Sequence, residues 1–197
     1  MVAAARYITR AALKSFANST KVGDEAEYDE AIAAAETYLD TECQRSFTVA
    51  SSSSAKSFRP VEGSRMLWIR DCTTITSVVE SGSTLTADVD YVAEPPAAEN
   101  WSGEVKPYDR LRRVNAVWYA NSGVPSIVVT ASWGWLAFPP GLTLAAKVCG
   151  KAYLEARDVR LGLIGFSENG GVRERNDAKA VEDFIGNYRG HHSWGIA

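Results

Sequence analysis

The sequence predicts an α+β fold in which a small helical bundle, of about four helices, carries an inserted antiparallel β lobe. Apolar residues recur at helical spacing near both ends of the chain, whereas the middle holds several short segments of alternating β-branched residues. The two patterns meet at Pro139 and Pro140, which fit neither a central strand nor a helix interior. We expect one domain of residues 1–197, with a helical core at 1–47 and 139–190, a β-rich lobe at 56–133 and a C-terminal tail at 186–197.

The segment from residue 126 to residue 158 shows the change of period most clearly. Ile127 and Val129 fall on one face of an alternating segment, and Gly134 ends this predicted strand. From Leu142 onward the apolar residues follow a period of about 3.6 residues, and many of them are alanine. We expect this helix to form the centre of the helical core and to make close contacts with other helices.

The other helices are predicted from their starting residues. Thr9 is placed to cap a short first helix, and Asp24 begins a second helix that has acidic residues in its first turn. Asn176 or Asp177 caps the last helix, which ends at Gly190. The Gly-rich segment before this last helix is expected to be irregular.

The middle of the chain predicts a small antiparallel sheet or sandwich. Its strands are expected to be short, regularly spaced and separated by turn residues. They lie at 65–70, 73–80, 89–94, 113–119 and 126–133. Residues 46–57 include four consecutive serines and are expected to form a flexible loop.

The composition shows no bias toward nucleic acid or membrane. The formal net charge is −3, whereas general nucleic-acid binders are usually strongly basic. No apolar run approaches the roughly 20 residues that span a membrane, and the N-terminus lacks the apolar region of a secretory signal. Cys43, Cys72 and Cys149 show no close spacing, so we expect buried reduced thiols in an intracellular protein rather than disulfides or a zinc site.

No catalytic, cofactor or metal site is predicted. The two histidines, His191 and His192, are adjacent near the end of the chain, and no carboxylate or cysteine lies at ligand spacing around them. The glycines match neither the dinucleotide nor the Walker phosphate-binding spacing. Arg110, Arg112 and Arg113 form a small basic cluster, for which a solvated sheet edge is the first interpretation and nucleic-acid contact the second.

The second predicted helix is acidic on one side. No Lys or Arg lies between Lys21 and Arg45, and Asp40 and Glu42 stand near the C-terminal end, where the helix dipole disfavours negative charge. A solvated helix face explains the pattern. The alternative is a surface that meets a basic partner or repels a polyanion.

Four segments, taken in order, resemble those of one family. They are residues 7–13, a short first helix; 28–47, a second helix ending in Arg-Ser-Phe; 129–135, a strand ending in a glycine between tryptophans; and 139–158, a helix that starts with Pro-Pro-Gly. The chain is thereby similar to the head–tail connector (adaptor, or head-completion) proteins of long-tailed bacteriophages. It departs from smaller members in its long β-rich middle, at 58–129.

The resemblance implies a structural function without catalysis or cofactor. Such proteins form a homo-oligomeric ring, expected to be a dodecamer, on the portal protein at the neck of the virion. The ring extends the DNA channel, lets DNA pass without specific binding, and docks the next head-completion or tail protein. Assembly would take place in the cytoplasm of the bacterial host, and no membrane partner is expected.

The resemblance also implies which residues meet partners. The expected portal-binding residues lie in the segment around and after the last helix, and in the loop after the third helix. In the first group they are Tyr188, Arg189, His191, His192, Trp194 and Ile196, and in the second Arg157, Arg160, Leu161 and Phe166. Glu36, Asp40 and Glu42 are expected to face the channel, where their charge would repel DNA phosphates.

Two alternatives stay open at this stage. The runner-up is another neck or tail protein, such as a stopper or a tail terminator, although those are usually dominated by β structure and lack the paired N-terminal helices. The last alternative is a small hydrolase or nuclease that uses Cys72 or the terminal histidines.

Overall fold

A computed structural model describes residues 7–17, 25–95, 106–121, 123–160 and 171–190. Its chain divides into two compact units. The helical unit comprises the described parts of Met1–Ser46 and Pro139–Ala197, and the β unit comprises those of Phe47–Phe138. In these described ranges no helix is both long enough and apolar enough to cross a membrane.

The helical unit contains four helices within the described residues. They are α1, Arg10–Phe16; α2, Glu25–Cys43; α3, Leu142–Arg160; and α4, Gly171–Tyr188. The Thr9 side chain caps α1 by accepting a hydrogen bond of 3.2 Å from the Ala12 amide, which confirms the predicted start. α4 begins at Gly171, before the predicted cap at Asn176, and the residue proposed to start α2, Asp24, lies outside the described residues.

The helices pack through small residues, as the alanine-rich sequence of α3 predicts. Ala31 and Ala35 of α2 and Ala145 and Ala146 of α3 are fully buried or nearly so. At Gly150 of α3, an added Cβ would lie 3.2 Å from the methyl groups of Leu13 on α1. α1 is held to α2 by an ion pair as well, since the Arg10 guanidinium binds the Asp29 carboxylate at 2.6 Å.

The described residues of the β unit form a six-stranded antiparallel sheet. Its strands are β1, Ser53–Phe58; β2, Met66–Glu80; β3, Ser83–Leu85; β4, Tyr91–Glu94; β5, Tyr108–Arg113; and β6, Ile127–Trp133. The order across the sheet is β1-β6-β2-β5-β4, and β3 pairs with the end of β2. The inward-facing residues of β2, β5 and β6 alternate with outward-facing ones and form a core with Trp118.

β2 joins the two halves of this sheet. Its first part, from Met66 to Cys72, pairs with β5, and its second part, from Cys72 to Glu80, pairs with β6. The strand changes partners at Cys72, and register shifts occur just after it, on both sides of Thr74. The two strands predicted at 65–70 and 73–80 are therefore one long strand.

Both ends of β2 contact the same segment of chain. Two residues before its start, the carbonyl oxygen of Ser64 accepts a hydrogen bond of 2.9 Å from the Trp118 amide. At its end, Glu80 accepts one of 2.9 Å from the Tyr119 amide and one of 2.7 Å from the Arg113 guanidinium. The sheet consequently curls around its own core.

These observations correct the predicted fold class. The expected helical bundle with an inserted lobe is wrong, because the six-stranded antiparallel sheet is the dominant element and has a hydrophobic core of its own. The alternating pattern indicated strands, but it did not show that they would close around an independent core. An insertion that depended on the bundle for burial would lack such a cluster.

Two local predictions in the β unit are also wrong. The serine-rich loop expected at 46–57 contains the start of β1, Ser53–Phe58, an edge strand whose exposed positions suit serine. The strand expected at 113–119 instead occupies Tyr108–Arg113. The sequence after it leaves the sheet and supplies the buried Trp118.

Candidate functional site

The C-terminal end of α4 is fixed to the C-terminal end of α2. The Gly190 amide donates a hydrogen bond of 2.8 Å to the Cys43 carbonyl oxygen. The Arg189 guanidinium donates one of 3.2 Å to the Glu42 carbonyl oxygen and lies 3.4 Å from the Glu42 carboxylate. Because α2 has no basic residue in its last turn, Arg189 supplies the positive charge that the helix dipole favours there. We call these contacts the tail anchor, since residues 191–197 of the C-terminal tail follow directly after Gly190.

The tail anchor brings together residues from two separately predicted groups. Glu42 was expected to face a channel and Arg189 to bind the portal, and here they bind each other. Tyr188 is 8% exposed and packs on Phe184, with ring centroids 4.7 Å apart, so its side chain lies mainly within the helical unit. His191, His192, Trp194 and Ile196 lie outside the described residues.

The predicted loop contact is only partly described. The backbone at Arg157 and Arg160 continues α3, and Leu161 and Phe166 lie outside the described residues. Partner binding by these four residues stays a prediction.

The remaining acidic candidates hold the N-terminal segment in place. Glu36 accepts a hydrogen bond of 2.8 Å from the Tyr7 amide, and Asp40 accepts one of 2.5 Å from the Tyr7 hydroxyl. Burial raises the pKa of the Asp40 carboxyl above its ordinary value, although hydrogen bonds from Tyr7 and Ser46 lower it. Sequence reasoning missed these contacts because Tyr7 lies 29 and 33 residues away from its partners. Channel exposure of Glu36, Asp40 and Glu42 stays a prediction.

An open apolar groove lies between α2, α3 and α4. Its volume is about 610 Å³. The residues that line it are Ala34, Ala35, Tyr38, Val148, Cys149, Lys151, Ala152, Tyr153, Glu155, Ala178, Val181, Glu182 and Ile185. Sequence analysis did not predict it. The available signal was that the apolar stripe of α3 is wide, and the structure leaves Tyr153 on that stripe 45% exposed.

The cysteines lack the properties of nucleophiles. Burial raises the pKa of Cys72 to about 12 and the pKa values of Cys43 and Cys149 to about 11. These thiols are therefore protonated at neutral pH, and the thiolate is the reactive form. Among the described residues, no group of His, Cys, Asp and Glu side chains is placed to hold a metal ion.

The arginine cluster of β5 is engaged in ion pairs. Glu94 of β4 binds Arg110 at 3.1 Å and Arg112 at 2.6 Å, and the hydrogen bond from Arg112 is the main reason that the pKa of Glu94 is lowered. Arg113 binds Glu80 at 2.7 Å. Intramolecular pairing with carboxylates accounts for these arginines without a nucleic acid.

Comparison with known proteins finds similarity in fold alone. No protein-family model and no curated protein matches the chain. One solved structure with a similar chain is the neck of an empty GTA (gene transfer agent) particle computed with C6 symmetry. The identity is 14%, the TM-score is 0.52, and the match covers 99% of this chain and 98% of that chain. Another is the neck of a native GTA particle computed with C12 symmetry, with 14% identity, a TM-score of 0.47 and coverage of 99% and 98%.

The comparison with the empty particle shows a shared fold over nearly the full length of both chains. Because the whole of this chain is matched, both the helical unit and the β unit belong to the shared fold. The long β-rich middle, in which this sequence differs from smaller connector proteins, has a counterpart in that neck chain.

Proposed function

We propose that this chain is a structural subunit of the neck of a phage-like particle. The observation that carries the proposal is the fold likeness to a chain from a particle neck, at a TM-score of 0.52 and with coverage of 99% and 98%. The ordered resemblance of four sequence segments to phage connector proteins supports it independently of the fold. A structural role also agrees with protonated thiols and ion-paired arginines in place of a reactive centre.

The specific role that we propose is that of a head–tail adaptor. Copies of the chain assemble as a ring, a dodecamer, beneath the portal protein, extend the DNA channel and dock the next head-completion or tail protein. The neck that shares the fold was computed with C6 symmetry, which is compatible with a ring of twelve copies. Assembly takes place in the host bacterial cytoplasm, and the product is part of the virion.

The tail anchor provides a physical basis for partner binding. A tail that leaves a fixed point on a folded unit explores a small volume, so less entropy is lost when it binds. Trp194 and Ile196 would supply apolar area in the partner, and Trp is a frequent interface anchor. Arg157, Arg160, Leu161 and Phe166 would form a second contact beside it.

The proposal is tested by mixing the purified chain with portal protein and imaging the mixture by electron microscopy. We expect a ring of added density beneath the portal. A variant truncated after Gly190 keeps every contact of the tail anchor, so it should fold normally and lose portal binding. Trp194→Ala should weaken binding, whereas the neighbouring Ser193→Ala should not.

The outcomes separate the candidate functions. A truncated chain that binds portal as well as the full chain would contradict the adaptor role of the tail. If electron microscopy shows the chain bound to an isolated tail tube and not to the portal, the result would favour a stopper or a tail terminator. A substrate turned over by the chain and lost on Cys72→Ala would favour the hydrolase.

A further inference from the structure

The groove between α2, α3 and α4 has the properties of a docking surface. Most of the residues that line it are small or apolar, and its two tyrosines, Tyr38 and Tyr153, are 49% and 45% exposed. A volume of about 610 Å³ is large enough for a tryptophan together with a smaller apolar side chain. An open apolar surface of this kind, rimmed by charged residues, is typical of an interaction site.

The C-terminal tail starts close enough to reach this groove. Gly190 is hydrogen-bonded to Cys43 at 2.8 Å, and the groove residues Tyr38 and Ile185 each precede one of these two by five positions. Five residues of helix span about 7.5 Å. Trp194 follows Gly190 by four residues, which extend to about 13 Å. The length of the tail therefore suffices to place Trp194 in the groove of its own chain.

Charge favours the same occupant. The described lining residues include two exposed glutamates, Glu155 and Glu182, and one lysine, Lys151, which lies 3.4 Å from Glu155. The tail carries two histidines and no acidic side chain. Histidines become cationic below about pH 6.5, so the acidic side chains of the groove should attract the tail more strongly as pH falls.

We propose that residues 191–197 dock into the groove of their own chain through Trp194 and Ile196 when the protein is free. Docking removes these two apolar side chains from water. Under this proposal the groove and any other partner compete for the same tail. The inference goes beyond the proposed function, since docking requires no portal.

Fluorine NMR of the full chain labelled with 5-fluorotryptophan tests the proposal. Trp194→Phe identifies the Trp194 resonance. We expect that resonance to be shielded from a soluble paramagnetic reagent in the unmodified chain. Ala152→Glu places a carboxylate in the groove and should expose Trp194 to the reagent, at least doubling its broadening.

A matched variant controls for the added charge and for helix stability. Ala33 is an exposed alanine on α2 that does not line the groove, so Ala33→Glu should leave Trp194 shielded. Circular dichroism checks that both variants keep their helices. Equal exposure of Trp194 in the unmodified chain and in Ala152→Glu would overturn the proposal. If Trp194 is shielded only at high chain concentration, the tail of another copy occupies the groove, and this result would also overturn the proposal.

Portal binding provides a second measurement, which rests on the proposed function. If the tail occupies the groove in nine-tenths of the free chains, docking lowers the apparent affinity of the chain for the portal about tenfold. Ala152→Glu should then bind portal more tightly by up to that factor, whereas Ala33→Glu should not. Absence of portal binding in every variant, with Trp194 still shielded, would contradict the adaptor role and leave the docked tail in place.

Discussion

Gly134 stands where β6 ends and the chain passes residues 47–50 of the β unit. Its φ is +121°, and an added Cβ would lie 2.3 Å from the Thr48 carbonyl oxygen. The same oxygen accepts a hydrogen bond of 2.8 Å from the Trp135 amide, and the Ala50 amide donates to the Trp135 carbonyl oxygen. Only glycine allows the two backbones to approach this closely.

Gly134→Ala should destabilise the β unit by at least about 3 kcal/mol, because the backbone must move and its hydrogen bonds weaken. Gly82 has a φ of +89° with open space around it, so Gly82→Ala should cost only about 1–2 kcal/mol of dihedral strain. Denaturant unfolding followed by tryptophan fluorescence measures both, since Trp68, Trp101, Trp118, Trp133 and Trp135 lie in residues 47–138. Equal losses would show that the contact with Thr48 is unimportant.

We expect Asp40 to make the stability of the helical unit depend on pH. Its pKa is raised mainly by burial, so the native state holds this proton more tightly than the unfolded state does. The contribution is fully present below the ordinary carboxyl pKa and is lost as pH rises through the raised native value.

Asp40→Asn should remove this pH dependence while keeping an oxygen that accepts the Tyr7 hydroxyl. At pH 7 we expect the free energy of unfolding of the Asp40→Asn variant to equal or exceed that of the unmodified chain. This difference in stability should shrink as the pH falls toward 4. Tyr7→Phe, which removes the donor, should cost about 1 kcal/mol at pH 7. Urea unfolding followed by circular dichroism between pH 4 and pH 7 measures these effects. A variant that loses stability uniformly across this range would contradict the role assigned to burial.

At the scale of the element, one ion pair helps to hold the two ends of β2 together. Glu80 is the last residue of β2, and Arg113 follows Arg112, the partner of the first residue, Met66. The side chains of Glu80 and Arg113 are each 12% exposed, and the carboxylate lies 2.7 Å from the guanidinium. The Arg113 guanidinium also lies over the Trp118 ring at 5.3 Å and donates to the Asp90 carbonyl oxygen at 3.0 Å. Without the Glu80 charge, Arg113 would keep most of its desolvation cost, and its remaining carboxylate partner, Asp90, lies farther away at 3.8 Å.

Glu80→Gln should therefore lower the free energy of unfolding of the β unit by roughly 3 kcal/mol. The exposed Glu62 belongs to the same unit, so Glu62→Gln removes the same charge at the surface and should change stability by less than about 0.5 kcal/mol. Guanidinium unfolding followed by tryptophan fluorescence compares the two. A loss as small as that of Glu62→Gln would mean that Trp118 and Asp90 alone hold Arg113.

At the scale of the whole molecule, the acidic face of α2 can now be tested at a single residue. Glu36 and Asp40 bind Tyr7, so reversing their charges would also disturb the N-terminal segment. Glu42 is the cleaner choice because its side chain is 40% exposed and its contact with Arg189, at 3.4 Å, is long. Arg189 also donates to the Glu42 backbone carbonyl oxygen, and this hydrogen bond does not depend on the Glu42 side chain.

If the chain forms the proposed ring, a ring of Glu42→Lys chains should bind DNA more tightly than the unmodified ring. The difference should weaken with salt, because lysine attracts the phosphates that glutamate repels. Glu62→Lys changes the net charge equally on the β unit and should have little effect. The amount of labelled DNA that each variant retains at increasing salt concentration measures the difference in DNA affinity. Rings of the two variants with equal DNA affinity would mean that α2 does not face the channel.

The sequence by itself determined the features that depend on neighbouring residues. The cap at Thr9, the alternation through Ile127 and Val129, and the end of β6 at Gly134 are set by local backbone preferences and by the period of apolar residues. The resemblance to connector proteins likewise rested on short segments in a fixed order, and a particle neck chain shares the fold.

Tertiary structure alone decided the features that join distant parts of the chain. β2 is one strand because β5 pairs with its first part and β6 with its second part. Ser53–Phe58 is a strand because it pairs with β6, whose first residue, Ile127, follows Phe58 by 69 residues. The sheet has a core of its own because Trp118 and the ends of β2 meet, and the groove exists because three helices pack without filling the space between them. Local patterns specify which conformation a segment prefers, but not which segment will pair with it or cover it.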